Sequence, residues 1–215
     1  GDGTGATDDS VGHGLSQAPE LIIIKNMLDG GNDWATWHDS FPVESVIYLN
    51  DAGAAYIGGE TGRFNTLPTP TVFTPGDAAN VNADTKSYIA YCFHSVDGYS
   101  KVGSYVGNSN TDGPFIYTGF KPAFIMVKLK TAADGQWAMF DNKRDPYNPT
   151  GRVFYANLTA ISTDVSSYTP YDILSNGFKS RIPGGNGNEA NYNSTGQTYI
   201  YLAFAESPFK YSNAR

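Results

Sequence analysis

The stretch PELIIIK, Pro19–Lys25, returns as PAFIMVK, Pro122–Lys128, at an offset of 103 residues. At that offset Trp34-Ala35-Thr36-Trp37 falls on Trp137-Ala138-Met139-Phe140. Further along, VIYLN (Val46–Asn50) falls on VFYAN (Val153–Asn157), with the offset grown to 107. YIAYCF (Tyr88–Phe93) falls on YIYLAF (Tyr199–Phe204) at 111. Four blocks in one order with a small drift mean duplication with loop insertions. A repeated module is more often a building unit than an enzyme with one active site.

The composition sets the class. The chain has 215 residues, and the duplication divides it into two units of a size that can just bury a core. Only 16% of residues are charged, while Gly is 24, Tyr 15, Phe 12 and Pro 12, a mixture that favours strands joined by turns. A net charge of −7 argues against nucleic acid, which needs a basic face. No apolar run is long enough for a membrane-spanning helix; the run Leu21–Ile24 suits a strand core. A single cysteine, Cys92, leaves no internal disulfide to form. The opening GDGTGATDDS lacks the basic and apolar regions of a signal peptide. Gly3–Gly14 aligns with Gly107–Gly119, but the later stretch is led by KVGSYV (Lys101–Val106) and the earlier one is not. The missing lead strand points to a chain that is a fragment of something longer.

No window keeps a 3.6-residue apolar period. Short apolar runs separated by turn residues predict an all-β sandwich or barrel. The strands expected in the first copy are Glu20–Asn26, Trp34–His38, Glu44–Leu49, Thr71–Thr74 and Lys86–Ser95, with Ser100–Val106 linking the copies. In the second they are Ala123–Leu129, Gln136–Asp141, Arg152–Ala156, Gly177–Arg181 and Thr198–Glu206. Asn50–Ala55 and Asn157–Thr163 are each expected to form one short helical turn. Lys86–Ser95 and Thr198–Glu206 are apolar at nearly every position, so both of their faces are expected to be covered.

The blocks VGHGLSQAPELIIIKN (Val11–Asn26), YIAYCF, GYSKVGSYVGN (Gly98–Asn108), DGPFIYTGFKPAFIMVK (Asp112–Lys128), DILSNGFK (Asp172–Lys179) and TYIYLAFAESPF (Thr198–Phe209) span nearly the whole chain. In this order they resemble an uncharacterised bacteriophage repeat-domain family found in tail-fibre and other structural proteins of marine phages. The resemblance implies a virion location and a β-sandwich module, and it implies no catalytic residues. The insertions Asp51–Pro70 and Asp145–Gly151 depart from the repeat, so what is particular to this protein is expected there.

The chemistry-bearing residues do not recur between copies. His13 meets Thr118, His38 meets Asp141, His94 meets Ala205 and Cys92 meets Ala203. Cys92 is expected to be a small buried thiol, and His38 and His94 surface or partly buried polar residues, rather than a nucleophile and its base. A glycosidase would need two facing carboxylates. The candidates Asp39, Glu44, Asp141 and Asp145 lie in or beside turns, and Glu206 is expected at the exposed end of the last strand. The loops Asp29–Asp33 and Asp141–Asp145 are oxygen-rich enough to raise calcium, but neither has EF-hand spacing, and turn chemistry is the favoured reading. Trp34 with Trp137, and Trp37 with Phe140, recur as core positions do. Tyrosines outside the repeated blocks, namely Tyr56, Tyr147 and Tyr168, are the better candidates for stacking on a sugar.

The expectation is therefore two homologous β-sandwich, jelly-roll-like modules in tandem, residues 1–101 and 102–215, related by pseudo-symmetry. The functional expectation is a virion structural protein of a tail fibre or other surface appendage, assembled with copies of itself and other virion proteins and touching host-surface glycan. No catalytic residue, metal or cofactor is expected, and no nucleic acid or membrane insertion. The alternatives are a carbohydrate-binding module of a secreted protein and a polysaccharide-degrading tailspike.

Overall fold

The computed structural model describes residues 9–159, 162–167, 170–183 and 190–208. The chain divides into two compact units, Gly1–His94 and Ser95–Arg215. Both are all-β, and the one α-helix among the described residues, α1, covers only Ala190–Asn193. The expected helical turn at Asn50–Ala55 is absent, and no helix occupies the described part of Asn157–Thr163. Asn50 and Asn157 instead accept through their side-chain oxygens from the backbone N–H groups of Trp34 and Trp137.

The first unit carries β1 (Val11–Gly12), β2 (Leu21–Asn26), β3 (Ala35–His38), β4 (Ile47–Tyr48), β5 (Val72–Phe73) and β6 (Tyr88–Phe93). Its main sheet runs β4-β3-β2-β6, all antiparallel, and β1 pairs with β5 in a separate ribbon. Four consecutive apolar residues of β2, Leu21–Ile24, are all buried, because β2 sits between β3 and β6 at the sheet centre. The insertion after β4 is not a decoration. It returns Phe64 to the core, 2% exposed and 6.5 Å from the Trp37 ring.

The second unit carries β7 (Ser100–Val106), β8 (Phe115–Tyr117), β9 (Pro122–Leu129), β10 (Ala138–Asp141), β11 (Arg152–Tyr155), β12 (Thr163–Asp164), β13 (Tyr171–Leu174), β14 (Gly177–Ser180) and, after α1, β15 (Thr198–Ala205). Its large sheet runs β12-β11-β10-β9-β15-β7, and its small sheet β13-β14-β8. One apolar core draws on both sheets, giving a sandwich-like arrangement. The division falls at 94/95, ahead of β7. The boundary expected at 101/102 would cut β7, which pairs along its whole length with β15.

The order β4-β3-β2-β6 in the first unit is the order β11-β10-β9-β15 in the second. Individual bonds match as well. Asp39 N–H donates to Glu20 C=O at 2.8 Å, and Asn142 N–H to Ala123 C=O at 3.0 Å. His13 N–H donates to Thr71 C=O, and Thr118 N–H to Asn176 C=O. Lys25 Nζ bonds Asn32 C=O, and Lys128 Nζ bonds Gly135 C=O. In the ribbons Val11 pairs Phe73, and Ile116 pairs Phe178.

The two last strands differ in burial. Thr198–Ala205 is almost wholly buried, between β9 and β7. The expectation that Lys86–Ser95 is covered on both faces is not met. The strand shortens to Tyr88–Phe93, every residue of it is at least partly exposed, and among the described residues it pairs only with β2. Among the described residues no neighbour like β7 flanks it.

Candidate functional site

The most site-like feature of the first unit is a pocket of about 260 Å³ between its main sheet and the β1–β5 ribbon. Ile24, Tyr88, Ala90 and Cys92 form its floor, and His13, Phe73 and Val81 its walls. Strand pairing explains the floor. Ile24 pairs with Ala90 and Asn26 with Tyr88, so alternate residues of β2 and β6 share one face. Tyr88 is anchored at the pocket's end, its hydroxyl donating to Ala79 C=O at 2.9 Å and accepting from Ala83 N–H at 2.7 Å.

Two pocket residues carry chemistry. Burial pushes the Cys92 thiol up to about 11, so it stays protonated at neutral pH and is a poor nucleophile. His13 Nε2 lies 3.1 Å from Thr69 C=O, while its Nδ1 accepts from Leu15 N–H at 3.1 Å. The imidazole thus ties the β1 end to the loop before β5.

His38 corrects the sequence reading, for it is 1% exposed rather than superficial. Asp39 Oδ1 lies 2.9 Å from His38 Nδ1, and Ser40 Oγ lies 3.0 Å from that same nitrogen. A hydrolytic triad uses the two ring nitrogens for different partners. Here both partners meet Nδ1, and Ser40 N–H donates to it too at 3.0 Å. The cluster closes the turn after β3.

The carboxylates serve turns and ion pairs. Asp141 Oδ1 accepts from Lys143 N–H and Arg144 N–H at 3.0 and 2.8 Å, and its Oδ2 takes the Arg144 side chain. Partial burial would raise the Asp141 carboxyl, but these donors outweigh it and hold it low. Asp145 accepts from Gly151 N–H at 2.8 Å and from Arg152 N–H. Asp29 pairs with Lys86 at 3.1 Å, and Asp33 accepts from Asn50 at 2.8 Å. Glu206 is exposed. Its hydrogen bond and charge pairing with Lys121, 2.9 Å away, hold the carboxyl below its usual range. A general acid at neutral pH needs the opposite shift.

The sugar-stacking candidates scatter. Tyr56 is 50% exposed in the first unit, bridged to Val46 and tilted 60° against Tyr48 at 6.0 Å. Tyr147 is 83% exposed in the second unit, within the loop between β10 and β11. Tyr168 lies outside the described residues. Trp137, Trp37 and Phe140 are buried, and Trp34 is half-buried with the Lys25 ammonium 5.8 Å from its ring centre.

A family model matches residues 2–208. The chain belongs to a family described as a domain of unknown function (DUF7483). No curated protein and no solved structure matches it. The family match runs through both units and both of their sheets, so it treats them as one entity.

Sequence reasoning did not find the pocket. One signal was present: Ala90 in YIAYCF stands where YIYLAF has Tyr201. A small residue where the matching block carries a large one leaves volume unfilled.

Proposed function

We propose that the chain is a bacteriophage virion structural protein, part of a tail fibre or other surface appendage that contacts the host surface. Its two units are two homologous β-sandwich modules derived by duplication and related by pseudo-symmetry. The observation that carries this reading is the paired set of backbone and side-chain bonds, repeated position for position in both units. What recurs is scaffold, and what does not recur is Cys, His and carboxylate. That division suits a module used for building and display. The resemblance to phage repeat domains supplies the virion location.

Assembly with copies of itself and with other virion proteins is part of the reading. Phe115 and Tyr117 stand outward from the edge strand β8, 46% and 64% exposed, on either side of buried Ile116. An edge of this kind is normally covered. An oligomer burying about 1,000 Å² or more is the expected form, with closed symmetry.

The second reading, a carbohydrate-binding module, rests on the exposed rings of Tyr147 and Tyr56. The two readings meet if the appendage touches a host-surface glycan.

The test is to purify intact particles and probe them with an antibody raised against this chain. Gold label on a fibre or surface appendage is expected. A chain found in the lysate but absent from the particles would overturn the virion reading. The same protein binding a glycan array through Tyr147 would then favour the lectin.

A further inference from the structure

The two main sheets differ at one edge, and the difference has a shape. In the second unit β15 is flanked by β7, with Tyr199, Tyr201 and Ala203 opposite Tyr105, Gly103 and Lys101. In the first unit the equivalent strand β6 has no such flank among the described residues. Met27 N–H donates to Ser87 C=O, and Glu20 N–H to Phe93 C=O. Antiparallel alternation then turns the N–H and C=O groups of Tyr88, Ala90 and Cys92 away from β2, toward the open side. Lys130 N–H donates to Thr198 C=O, so the same alternation turns Tyr199, Tyr201 and Ala203 toward β7.

Side chains carry the comparison further. Val127 pairs with Tyr201, and Ile24 pairs with Ala90, so Ala90 occupies the Tyr201 position. The Tyr201 ring packs edge-on against Phe178 at 5.3 Å, and Tyr105 stacks on Tyr199 at 4.9 Å and 11°. The first-unit counterparts of Tyr201, Phe178 and Tyr199 are Ala90, Phe73 and Tyr88, and these line the open pocket. Gly103 is matched to Tyr201: a Cβ there would stand 2.8 Å from the Tyr201 hydroxyl. Large on β15 goes with nothing on β7. On β6 the residue is small, and Ala90 is exposed.

We propose that the open edge of β6, with the pocket beside it, is a seat for an extended strand of a partner polypeptide, and that this strand places a large aromatic side chain opposite Ala90. The strand follows the pattern of Ser100–Val106, antiparallel to β6, with its aromatic residue where β7 has Gly103. Backbone bonds to Tyr88, Ala90 and Cys92 supply the affinity, and the pocket supplies the choice of side chain. The inference rests on the two ladders and not on the virion reading.

Two labelled peptides test it on the full chain. One has the sequence of Ser100–Gly107; the other carries Gly103→Phe. The Phe peptide is expected to bind saturably, about tenfold or more tighter than the parent, as burial of one aromatic ring implies. Hydrogen exchange should slow at Tyr88, Ala90 and Cys92. Adding Lys101→Pro to the Phe peptide removes a backbone donor and should abolish binding without touching the protein. Ala90→Tyr in the protein should also abolish it, with an unchanged unfolding transition as the control for folding. Equal affinity of the two peptides, or no binding of either, would overturn the proposal. So would slowed exchange on β15 instead, which signals exchange with β7. Protection of β6 that rises with protein concentration alone would give the seat to a second copy and overturn it too.

Discussion

The backbone N–H of Trp137 donates to Asn157 Oδ1 at 2.9 Å, and the carbonyl of Trp137 accepts from Ala156 N–H at the same distance. One side chain and the residue before it therefore hold both backbone polar groups of a buried tryptophan. Trp34 is held in the same way, by Asn50 Oδ1 at 2.8 Å and Leu49 N–H at 3.0 Å. Asn157→Ala leaves the Trp137 N–H without its acceptor, and we expect a loss of about 1–2 kcal/mol of stability. Asn157→Asp keeps the acceptor and should recover most of it. Asn50 is exposed, so Asn50→Ala should cost less. Denaturant titration of the three variants checks the ranking.

Tyr171 offers a separation of ring from hydroxyl. Its ring is fully buried among Phe140, Phe178 and Tyr192, each in an edge-on contact at 5.2–5.9 Å. Its hydroxyl meets that of Tyr105 at 2.5 Å, and Tyr105 also donates to Tyr192 C=O at 2.8 Å. Tyr171→Phe leaves Tyr105 with that carbonyl and should cost about 1 kcal/mol. Tyr171→Ala empties the ring site and should cost about 3–5 kcal/mol. Equal losses in thermal unfolding would show that the hydroxyl pair matters as much as the packing.

The same buried phenols set an alkaline limit. Burial raises Tyr105 and Tyr171 well above their ordinary 10.0. A raised phenol keeps its proton in the folded chain after the unfolded chain has lost it. Above pH 10 the folded state then binds more protons than the unfolded state, so stability falls as pH rises. The stabilisation is whole below pH 10 and declines above it, by about 1.4 kcal/mol per pH unit for each buried tyrosine. Tyrosinate absorbance should appear for these residues together with unfolding. A smooth rise with the fold intact would contradict it.

Lys25 and Lys128 hold equivalent backbone carbonyls but differ in depth. Lys128 is fully buried and Lys25 is half-buried. Lys128→Met leaves the Gly135 carbonyl without its cation and should cost about 1–3 kcal/mol. Lys25→Met, where water can replace the ammonium, should cost less than about 1 kcal/mol. Chemical denaturation of each variant is the measurement.

Glu206 tests the tailspike alternative. Incubated with host capsular or outer-membrane polysaccharide, the protein is expected to release no new reducing ends. Release that vanishes in Glu206→Gln would promote the enzyme reading despite the ion pair with Lys121.

The long strands were legible in the sequence because apolar runs such as LIIIKN and TYIYLAFA fill both faces of a central strand. Ser100–Val106, read as the strand that links the copies, was placed to the residue. Val11–Gly12, Phe115–Tyr117, Thr163–Asp164 and Tyr171–Leu174 were missed. Each is at most four residues long, too short to show an alternation; Val11–Gly12 and Phe115–Tyr117 moreover take their partners from far along the chain, whereas Tyr171–Leu174 pairs with the next strand, Gly177–Ser180. The covered faces expected for Lys86–Ser95 failed for a related reason. An apolar strand shows what it could bury, while what buries it is decided by its neighbours. His38 was misjudged because polarity predicts exposure, and the Ser40 and Asp39 contacts that satisfy it within the turn are local geometry.

Gly103 has a consequence for how β7 finds its place. A slip of β7 by two residues along β15 keeps every side chain on its proper face, so the alternation of polar and apolar residues cannot detect it. Such a slip would bring Lys101 or Tyr105 opposite Tyr201, where even a bare Cβ stands 3.0 Å from the ring carbon that bears the hydroxyl. One missing side chain thus acts as the registration mark of the strand.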